Sequence, residues 1–230
     1  QEAIDHLLPP FELPPELDFI KSLDFAAYYG GARMSGYGYI DVDREYMERR
    51  YLMDRALNVT AKDLIKRVHK EYVDLAGRGY GGLIEAYKLE DAEVAIVAMG
   101  SLSATSRYAV DRLREQGKAV GMVKLHTLRP FPGEDLVEAL KGVKAVVVLD
   151  RNPVAAVYQD LRSALFGQPQ PPMVLGRIVG LGGRDVTHCS VMYMAEEAMA
   201  AARQGRPDEA LGWHFQVIED EEMLARAVKK

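Results

Sequence analysis

The chain reads Val94-Ala95-Ile96-Val97-Ala98-Met99 where its first uninterrupted apolar run passes into the turn Gly100-Ser101. A second run, Ala145-Val146-Val147-Val148-Leu149, ends as abruptly at Asp150-Arg151. Such runs are typical of strands that are covered on both faces of a parallel sheet. Helical periods of three to four residues separate them. The alternation predicts a doubly wound α/β domain, with a mostly parallel sheet, helices on both faces and one antiparallel edge strand.

The predicted elements follow directly from this alternation. Strands are expected at residues 93–99, 119–125, 144–149 and 174–179, and helices at residues 103–116, 133–141, 155–166 and 189–204. A further short edge strand is expected from Tyr87 to Leu89. Residues 44–76 contain no Pro or Gly, and their apolar side chains recur at helical spacing, which predicts a long amphipathic helix that ends at Gly77.

We expect four segments along the chain. Residues 1–43 form a connector rich in Pro, Gly and aromatic side chains, which packs either on its own domain or over a missing N-terminal domain or a partner subunit. Residues 44–90 form the long helix and the edge segment, residues 91–204 the α/β domain, and residues 205–230 a polar tail. Trp213 and Phe215 are the expected docking points of that tail. Because the chain begins at Gln1 inside a Pro-rich stretch, we expect it to be a fragment of a longer polypeptide.

The composition limits the classes of partner and site. With 230 residues and 48% hydrophobic composition, the chain can bury a substantial core. Its net charge is -5 with interspersed signs, so nucleic acid is not an expected partner. The single cysteine, Cys189, excludes an internal disulfide, a four-cysteine iron–sulfur cluster and a four-cysteine zinc site. No apolar run approaches a membrane span and no signal peptide is recognisable, so we expect a soluble, cytoplasmic protein without a membrane partner.

Two turns after predicted strands could bind an anion. Gly100, Ser101 and Thr105 stand at the start of a helix, where free N–H groups attract phosphate or carboxylate, but helix capping explains the same residues. The turn at 180–187 could bring its backbone close to a ligand at Gly182, and Asp185 or Thr187 could equally cap the next helix. Neither turn contains a complete dinucleotide or phosphate-loop motif.

Charged residues mark two more strand ends. Pro130 and Pro132 fix the backbone around Arg129, which could clamp a carboxylate or could pair internally with Asp150. Arg151 directly follows Asp150, at the same strand end. No set of His, Asp and Glu has metal-ligand spacing, and Cys189 is expected to be a buried, inert thiol. We therefore expect neither a catalytic residue nor a metal site in this chain.

Several motifs in one collinear order resemble the alpha chain of pyruvate:ferredoxin oxidoreductase and related 2-oxoacid:ferredoxin oxidoreductases. They are Gly77-Arg78-Gly79-Tyr80-Gly81, Glu90-Asp91-Ala92-Glu93, Met99-Gly100-Ser101, Leu128-Arg129-Pro130-Phe131-Pro132, Asp150-Arg151-Asn152 and Gly180-Leu181-Gly182-Gly183-Arg184-Asp185-Val186-Thr187. The resemblance implies the second, transketolase C-terminal-like domain of that chain. It also implies an enzyme that oxidatively decarboxylates a 2-oxoacid to acyl-coenzyme A and passes electrons to ferredoxin.

The resemblance also implies cofactors and partners outside this chain. The complete enzyme would use thiamine diphosphate with Mg²⁺ and iron–sulfur clusters, neither of which we expect this fragment to bind. Its partners would be an N-terminal pyrimidine-binding domain and beta, gamma and delta-type subunits or domains, through which it meets ferredoxin and coenzyme A. A homodimer is a further expectation. Within the enzyme, the role of this domain would be mainly structural.

One departure from the family leaves alternatives open. After Asp150-Arg151, relatives commonly have a loop with glycine, whereas residues 152–158 here contain none. The substrate could therefore be pyruvate, or 2-oxoglutarate, a branched-chain 2-oxoacid, oxalate or an aryl glyoxylate. A different class of protein also stays open, namely a stand-alone α/β module that binds a nucleotide or another anion.

Overall fold

The computed structural model describes residues 46–229, with side chains from residue 50 onward. The expected connector, residues 1–43, lies outside this range. The helices are α1 (Tyr46–Arg55), α2 (Ala61–Ala76), α3 (Leu102–Glu115), α4 (Gly133–Ala139), α5 (Ala156–Leu165), α6 (His188–Gln204) and α7 (Glu221–Val228). The strands are β1 (Ile84–Tyr87), β2 (Val94–Met99), β3 (Val120–Leu125), β4 (Ala145–Asp150), β5 (Met173–Ile178) and β6 (Leu211–Trp213). A π-helical turn, Ala56–Thr60, links α1 to α2.

The six strands form one sheet in the order β1-β3-β2-β4-β5-β6. All neighbouring strands run parallel except β1, which pairs antiparallel with β3 at one edge. Helices α3, α6 and α7 contribute to the hydrophobic core on one face, and α4 and α5 to the core on the other. The predicted fold class, a three-layer α/β domain with a mostly parallel sheet, is confirmed.

The central strands form because their side chains are apolar on both sides. Every residue of β4 is buried, and so are all residues of β2 except Met99 at its end. The predicted C-terminal cap of α2 is also confirmed, since Gly77 adopts a left-handed conformation (φ 66°) and donates its N–H to Val73 O over 2.9 Å.

Two predictions about the edges were inaccurate. The antiparallel edge strand spans Ile84–Tyr87 and not 87–89, because Lys88 adopts φ 51°, a left-handed conformation that ends the strand. Residues 205–230 contain β6 and α7, neither of which was predicted. Ile218, in the loop between them, is fully buried in the core. The only buried residue of β6 is Gly212, so the strand carries no apolar signal and depends on its pairing with β5.

Candidate functional site

The strand order places a topological switch point between β2 and β4. From β2 the chain crosses to β3 on one side, and then returns to form β4 on the other side. Ligands of open parallel sheets bind outside the carboxyl ends of the strands that flank such a point. The residues that follow β2 and β4 are Gly100-Ser101 and Arg151, all of them candidates from the sequence. The candidate functional site is this crevice.

Arg151 connects the two sides of the crevice. Its Nη1 donates to Ser101 Oγ over 3.3 Å, although the two residues are 50 positions apart. Its guanidinium also lies against the turn after β5, where a Cβ on Gly180 would stand only 2.6 Å from Arg151 Nε. Within residues 50–229, no carboxylate lies within 4 Å of this guanidinium. Arg151 is thus an exposed cation held between two turns, with the geometry to bind an anion.

The start of α3 contributes less than its residues suggested. Ser103 N and Ala104 N donate to Gly100 O and Ser101 O over 3.1 and 3.2 Å, so these two first-turn N–H groups are already satisfied. The Ser101 side chain makes no capping hydrogen bond, and Thr105 lies within the helix. Two of the N–H groups at this helix terminus are therefore engaged, and Arg151 is the charged group beside it.

Arg129 and Asp150 do not form the pair that we considered. Asp150 is buried and accepts a hydrogen bond from Val157 N over 2.8 Å, so its carboxylate anchors the first turn of α5. Burial raises the pKa of the Asp150 carboxyl, against the opposing effect of its backbone hydrogen bonds. Arg129 instead pairs with Asp160 on α5, Nη1 to Oδ2 being 2.6 Å. The Arg129–Asp150 alternative is wrong because the Asp150 side chain is directed toward α5.

The loop between Arg151 and α5 shows why its lack of glycine matters. Ala155 stands at the N-cap of α5 with φ 51° and ψ 50°, a left-handed conformation that glycine adopts without a steric penalty. Its methyl group is almost completely buried. The loop therefore keeps the backbone conformation expected for a glycine while carrying alanine.

The turn after β5 is built by capping interactions. Gly180, Gly182 and Gly183 all have positive φ angles. Thr187 caps α6, since its Oγ1 accepts from Ser190 N over 3.0 Å, and its hydroxyl also donates to Ile218 O. Asp185 Oδ1 accepts from the adjacent Val186 N over 2.9 Å. Asp185 and Thr187 thus have structural contacts of their own, and Arg151 packs on Gly180 and not on Gly182.

Sequence reasoning missed a second polar cluster, behind β5. Arg177 is buried, and its Nε donates to Glu197 Oε2 over 2.9 Å. Both residues line a cavity of about 380 Å³ between the sheet, α6 and α7, together with Tyr193 and Glu209. A signal was present in the sequence, because Arg177 interrupts an otherwise uncharged strand.

The remaining candidate residues have no ligand geometry. Cys189 is completely buried, as predicted, and burial raises the pKa of its thiol. Across the described residues 46–229, no three His, Cys, Asp or Glu side chains converge as a metal site. In the same part of the chain, no helix combines the length and apolar character that crossing a membrane would require.

Comparison with known proteins gives three kinds of match. Residues 92–191 match the family model described as pyruvate:ferredoxin oxidoreductase core domain II. The chain is 36% identical over 213 residues to pyruvate synthase subunit PorA of Methanothermobacter thermautotrophicus, which covers 93% of this chain and 50% of that protein. It is 35% identical over 219 residues to ketoisovalerate oxidoreductase subunit VorA of Pyrococcus horikoshii, covering 93% of this chain and 52% of that protein. The chain thus spans about half the length of the curated relatives it matches.

Among solved structures, this chain is similar to the 2-oxoglutarate:ferredoxin oxidoreductase from Magnetococcus marinus. The match covers 68% of this chain and 24% of the chain of that structure. The identity is 22% and the TM-score is 0.46.

Proposed function

Since the chain belongs to the pyruvate:ferredoxin oxidoreductase and related 2-oxoacid:ferredoxin oxidoreductase family, we propose that it forms the second domain of the alpha subunit of such an enzyme. The complete enzyme oxidatively decarboxylates a 2-oxoacid to acyl-coenzyme A and transfers the electrons to ferredoxin. The observation that carries this proposal is the match to a pyruvate synthase subunit along 93% of the chain. We place the enzyme in the cytoplasm, where thiols such as Cys189 stay reduced.

Pyruvate is the proposed substrate, and a branched-chain 2-oxoacid is the alternative with the best support. A pyruvate synthase subunit and a ketoisovalerate oxidoreductase subunit are similar to this chain to the same degree, with sequence identities of 36% and 35%. Arg151 does not discriminate between these substrates, because a guanidinium at the switch point accepts any carboxylate. The choice therefore depends on the rest of the enzyme.

The residues of this chain do not fit the cofactors of the reaction. An iron–sulfur cluster requires several thiolates, whereas the chain has one cysteine, which is buried. The sequence also lacks the Gly-Asp-Gly and paired asparagines that hold the diphosphate in this family, since its only asparagines are Asn58 and Asn152. We assign no electron-transfer or thiamine step to this chain.

The role that we propose for this domain is assembly. The expected boundary at residue 204 does not hold, because β6 pairs with β5 and Ile218 is buried in the core of the α/β domain. We propose boundaries at residues 43 and 90, with residues 1–43 as the connector to an N-terminal pyrimidine-binding domain. The partners would be that domain and beta, gamma and delta-type subunits, which supply the thiamine diphosphate, the clusters, and the sites for ferredoxin and coenzyme A. The exposed apolar side chains Leu211 and Trp213 on the edge strand β6, and Phe215 just after it, support a role in docking.

The test is activity of the native complex. A purification tag on the C terminus should recover a complex that reduces ferredoxin only when both coenzyme A and a 2-oxoacid are present, with pyruvate the best of a panel of 2-oxoacids. The 230-residue chain alone should be inactive and bind thiamine diphosphate with Mg²⁺ weakly in calorimetry. Absence of any 2-oxoacid-dependent reduction by the tagged complex would overturn the proposal.

A second candidate function is anion binding at the switch point, which the position of Arg151 favours. If this crevice binds phosphate groups, inorganic pyrophosphate should bind the chain in calorimetry, and Arg151→Ala should weaken binding at least tenfold. Arg206→Ala is the matched control, because it removes an exposed guanidinium far along the sequence from the crevice. Equal affinity of the two variants would exclude this site.

A further inference from the structure

The cavity behind β5 is separate from the switch-point crevice. Leu175 and Arg177 line it on the side of the sheet, and the other walls come from α6, the end of α7 and the loop before β6. Neither Ser101 nor Arg151 lines it. Its volume of about 380 Å³ lies in the range of small-molecule sites, about 300 to 1,000 Å³. The cavity therefore has the size for a ligand of its own.

Arg177 brings a buried cation with one free nitrogen to this cavity. Its side chain is 5% exposed, Nε donates to Glu197, and Nη1 donates to the carbonyls of Gly176 and Glu209. Among residues 46–229, Nη2 has no hydrogen-bond partner, yet it is not fully enclosed by protein atoms. Because Arg177 lines the cavity, Nη2 is the donor that it offers there. A guanidinium N–H without an acceptor in such a place suits a carboxylate.

Tyr193 of α6 contributes a second donor to the same cavity. Its ring packs on the ring of His214, with 5.7 Å between the two centroids. Burial, and after it the negative charge of Glu197, raise the pKa of the Tyr193 hydroxyl. The hydroxyl therefore stays protonated and can donate a hydrogen bond to a bound anion.

Glu209 supplies the opposite charge next to Arg177. Its carbonyl accepts from Arg177 Nη1 over 3.1 Å, and its carboxylate lies on Gly212, where a Cβ would overlap with Glu209 Oε2. The glycine thus leaves the space that the carboxylate occupies. Within the part of the chain that the structure describes, no cationic nitrogen lies within 4 Å of this carboxylate. The cavity therefore presents an unpaired carboxylate beside the free nitrogen of Arg177.

The charges of the cavity decide the class of ligand. Arg177 and Glu196 are each balanced by a partner, so the unpaired charges of its lining, within residues 46–229, are Arg203, Asp208 and Glu209. Two acids against one base disfavour a phosphate or another polyanion, and the guanidinium groups disfavour a polycation. A ligand that carries one carboxylate and one ammonium group on neighbouring atoms matches both signs.

We propose that this cavity binds an aliphatic α-amino acid. The carboxylate of the ligand accepts from Arg177 Nη2 and from the Tyr193 hydroxyl. Its ammonium group donates to the Glu209 carboxylate, and its side chain packs on Leu175 and Ala200, which provide apolar lining. None of these residues lies at the switch point, so the inference is independent of the proposed enzymatic function.

Calorimetry on the 230-residue chain tests the class of ligand. L-Alanine, L-valine and L-leucine are the probes, and the best of them should bind with a dissociation constant of about 1 mM or lower. Valinamide lacks the carboxylate and 3-methyl-2-oxobutanoate lacks the ammonium group, so each should bind at least tenfold more weakly than valine. Absence of binding by all three amino acids, or equal binding of valine and the 2-oxoacid, would overturn the proposal.

Variants of the lining test the position of the ligand. Tyr193→Phe and Glu209→Gln should each weaken amino acid binding at least fivefold. Gly212→Ala should also weaken it, because the new methyl group pushes the Glu209 carboxylate aside without removing its charge. Tyr108→Phe and Glu138→Gln are the matched controls, since both side chains are exposed and lie outside the cavity.

Circular dichroism without ligand checks that the variants are folded. Bound amino acid should raise the melting temperature of the wild type and of both controls, because it joins β5, α6 and the loop before β6. The shift should be smaller in the three cavity variants. Unchanged affinity of either Tyr193→Phe or Glu209→Gln would overturn the proposal.

Discussion

Arg177 and Glu197 join the buried side of β5 to α6 through a hydrogen-bonded ion pair, Nε to Oε2 being 2.9 Å. The Arg177 side chain is only 5% exposed, whereas that of Glu197 is 30% exposed. Arg177 Nη1 also donates to the carbonyls of Gly176 and Glu209. These carbonyl oxygens accept hydrogen bonds but carry no net charge. Glu197 therefore supplies the negative charge that balances the buried Arg177 guanidinium.

Removal of that carboxylate should destabilise the protein. We expect Glu197→Ala to lower the free energy of unfolding by about 3 kcal/mol, because a buried cation loses its counter-charge. Glu197→Gln should cost less, since an amide oxygen still accepts from Arg177. Glu138→Ala is the control, because it removes an exposed carboxylate paired with Lys141 and should cost about 0.5 kcal/mol or less. Urea unfolding of the three variants measures the difference, and equal losses at positions 197 and 138 would contradict it.

Asp150 should make the stability depend on pH. Because burial raises its pKa in the folded state above the ordinary value of 3.8, the folded protein holds this proton more tightly than the unfolded chain. The resulting stabilisation is complete below pH 3.8 and is lost as the pH rises through the raised pKa. Asp150→Asn keeps an oxygen that can accept from Val157 N and removes the titration. We expect the variant to gain stability relative to the wild type as the pH rises.

Thermal unfolding of both proteins between pH 4 and pH 8 checks this sign. Asp150→Ala should lose about 1 to 2 kcal/mol near pH 4, because it removes the acceptor at the start of α5. This loss should shrink as the pH rises, because the variant also lacks the titrating carboxyl. A stability difference between wild type and Asp150→Asn that does not change with pH would show that Asp150 does not titrate in this range.

Two glycines with the same backbone conformation should respond differently to alanine. Gly180 and Gly182 both have φ 65°, so alanine at either position costs about 1 kcal/mol in backbone strain. Only at Gly180 does the new Cβ meet other atoms, 2.6 Å from Arg151 Nε and 3.1 Å from Val186 Cγ2. Gly180→Ala should therefore lose about 2 kcal/mol in total, and it should also weaken any binding of pyrophosphate. Denaturant unfolding and calorimetry compare the pair; identical behaviour would mean that Arg151 does not pack on Gly180 in solution.

Ala155 and Ala156 should respond in opposite ways to glycine. At Ala155, glycine relieves about 1 kcal/mol or more of left-handed strain and loses a buried methyl group of about 0.8 kcal/mol, so stability should stay level or rise. At Ala156, the first residue of α5, glycine should lower the unfolding free energy by about 0.5 to 1 kcal/mol. Chemical denaturation of both variants gives the order of stability, and a larger loss at position 155 would contradict the strain argument.

The sequence by itself determined the layers of this domain. The apolar runs at 94–99 and 145–149 had to become central strands, because only a strand covered on both faces buries every side chain. Likewise, the spacing of apolar residues and the glycine at position 77 defined α2 and its end. These features depend on near neighbours in the chain, which is why they can be predicted from local patterns.

The tertiary structure alone decided which turns meet. Ser101 and Arg151 are 50 residues apart and come within 3.3 Å only because β2 and β4 are neighbours in the sheet. The direction of the Asp150 side chain, which leaves Arg129 to pair with Asp160, depends on where α5 packs. Strand β6 exists because β5 offers it a hydrogen-bonding edge. Strand order and helix packing arise from contacts between distant segments, and no local period encodes them.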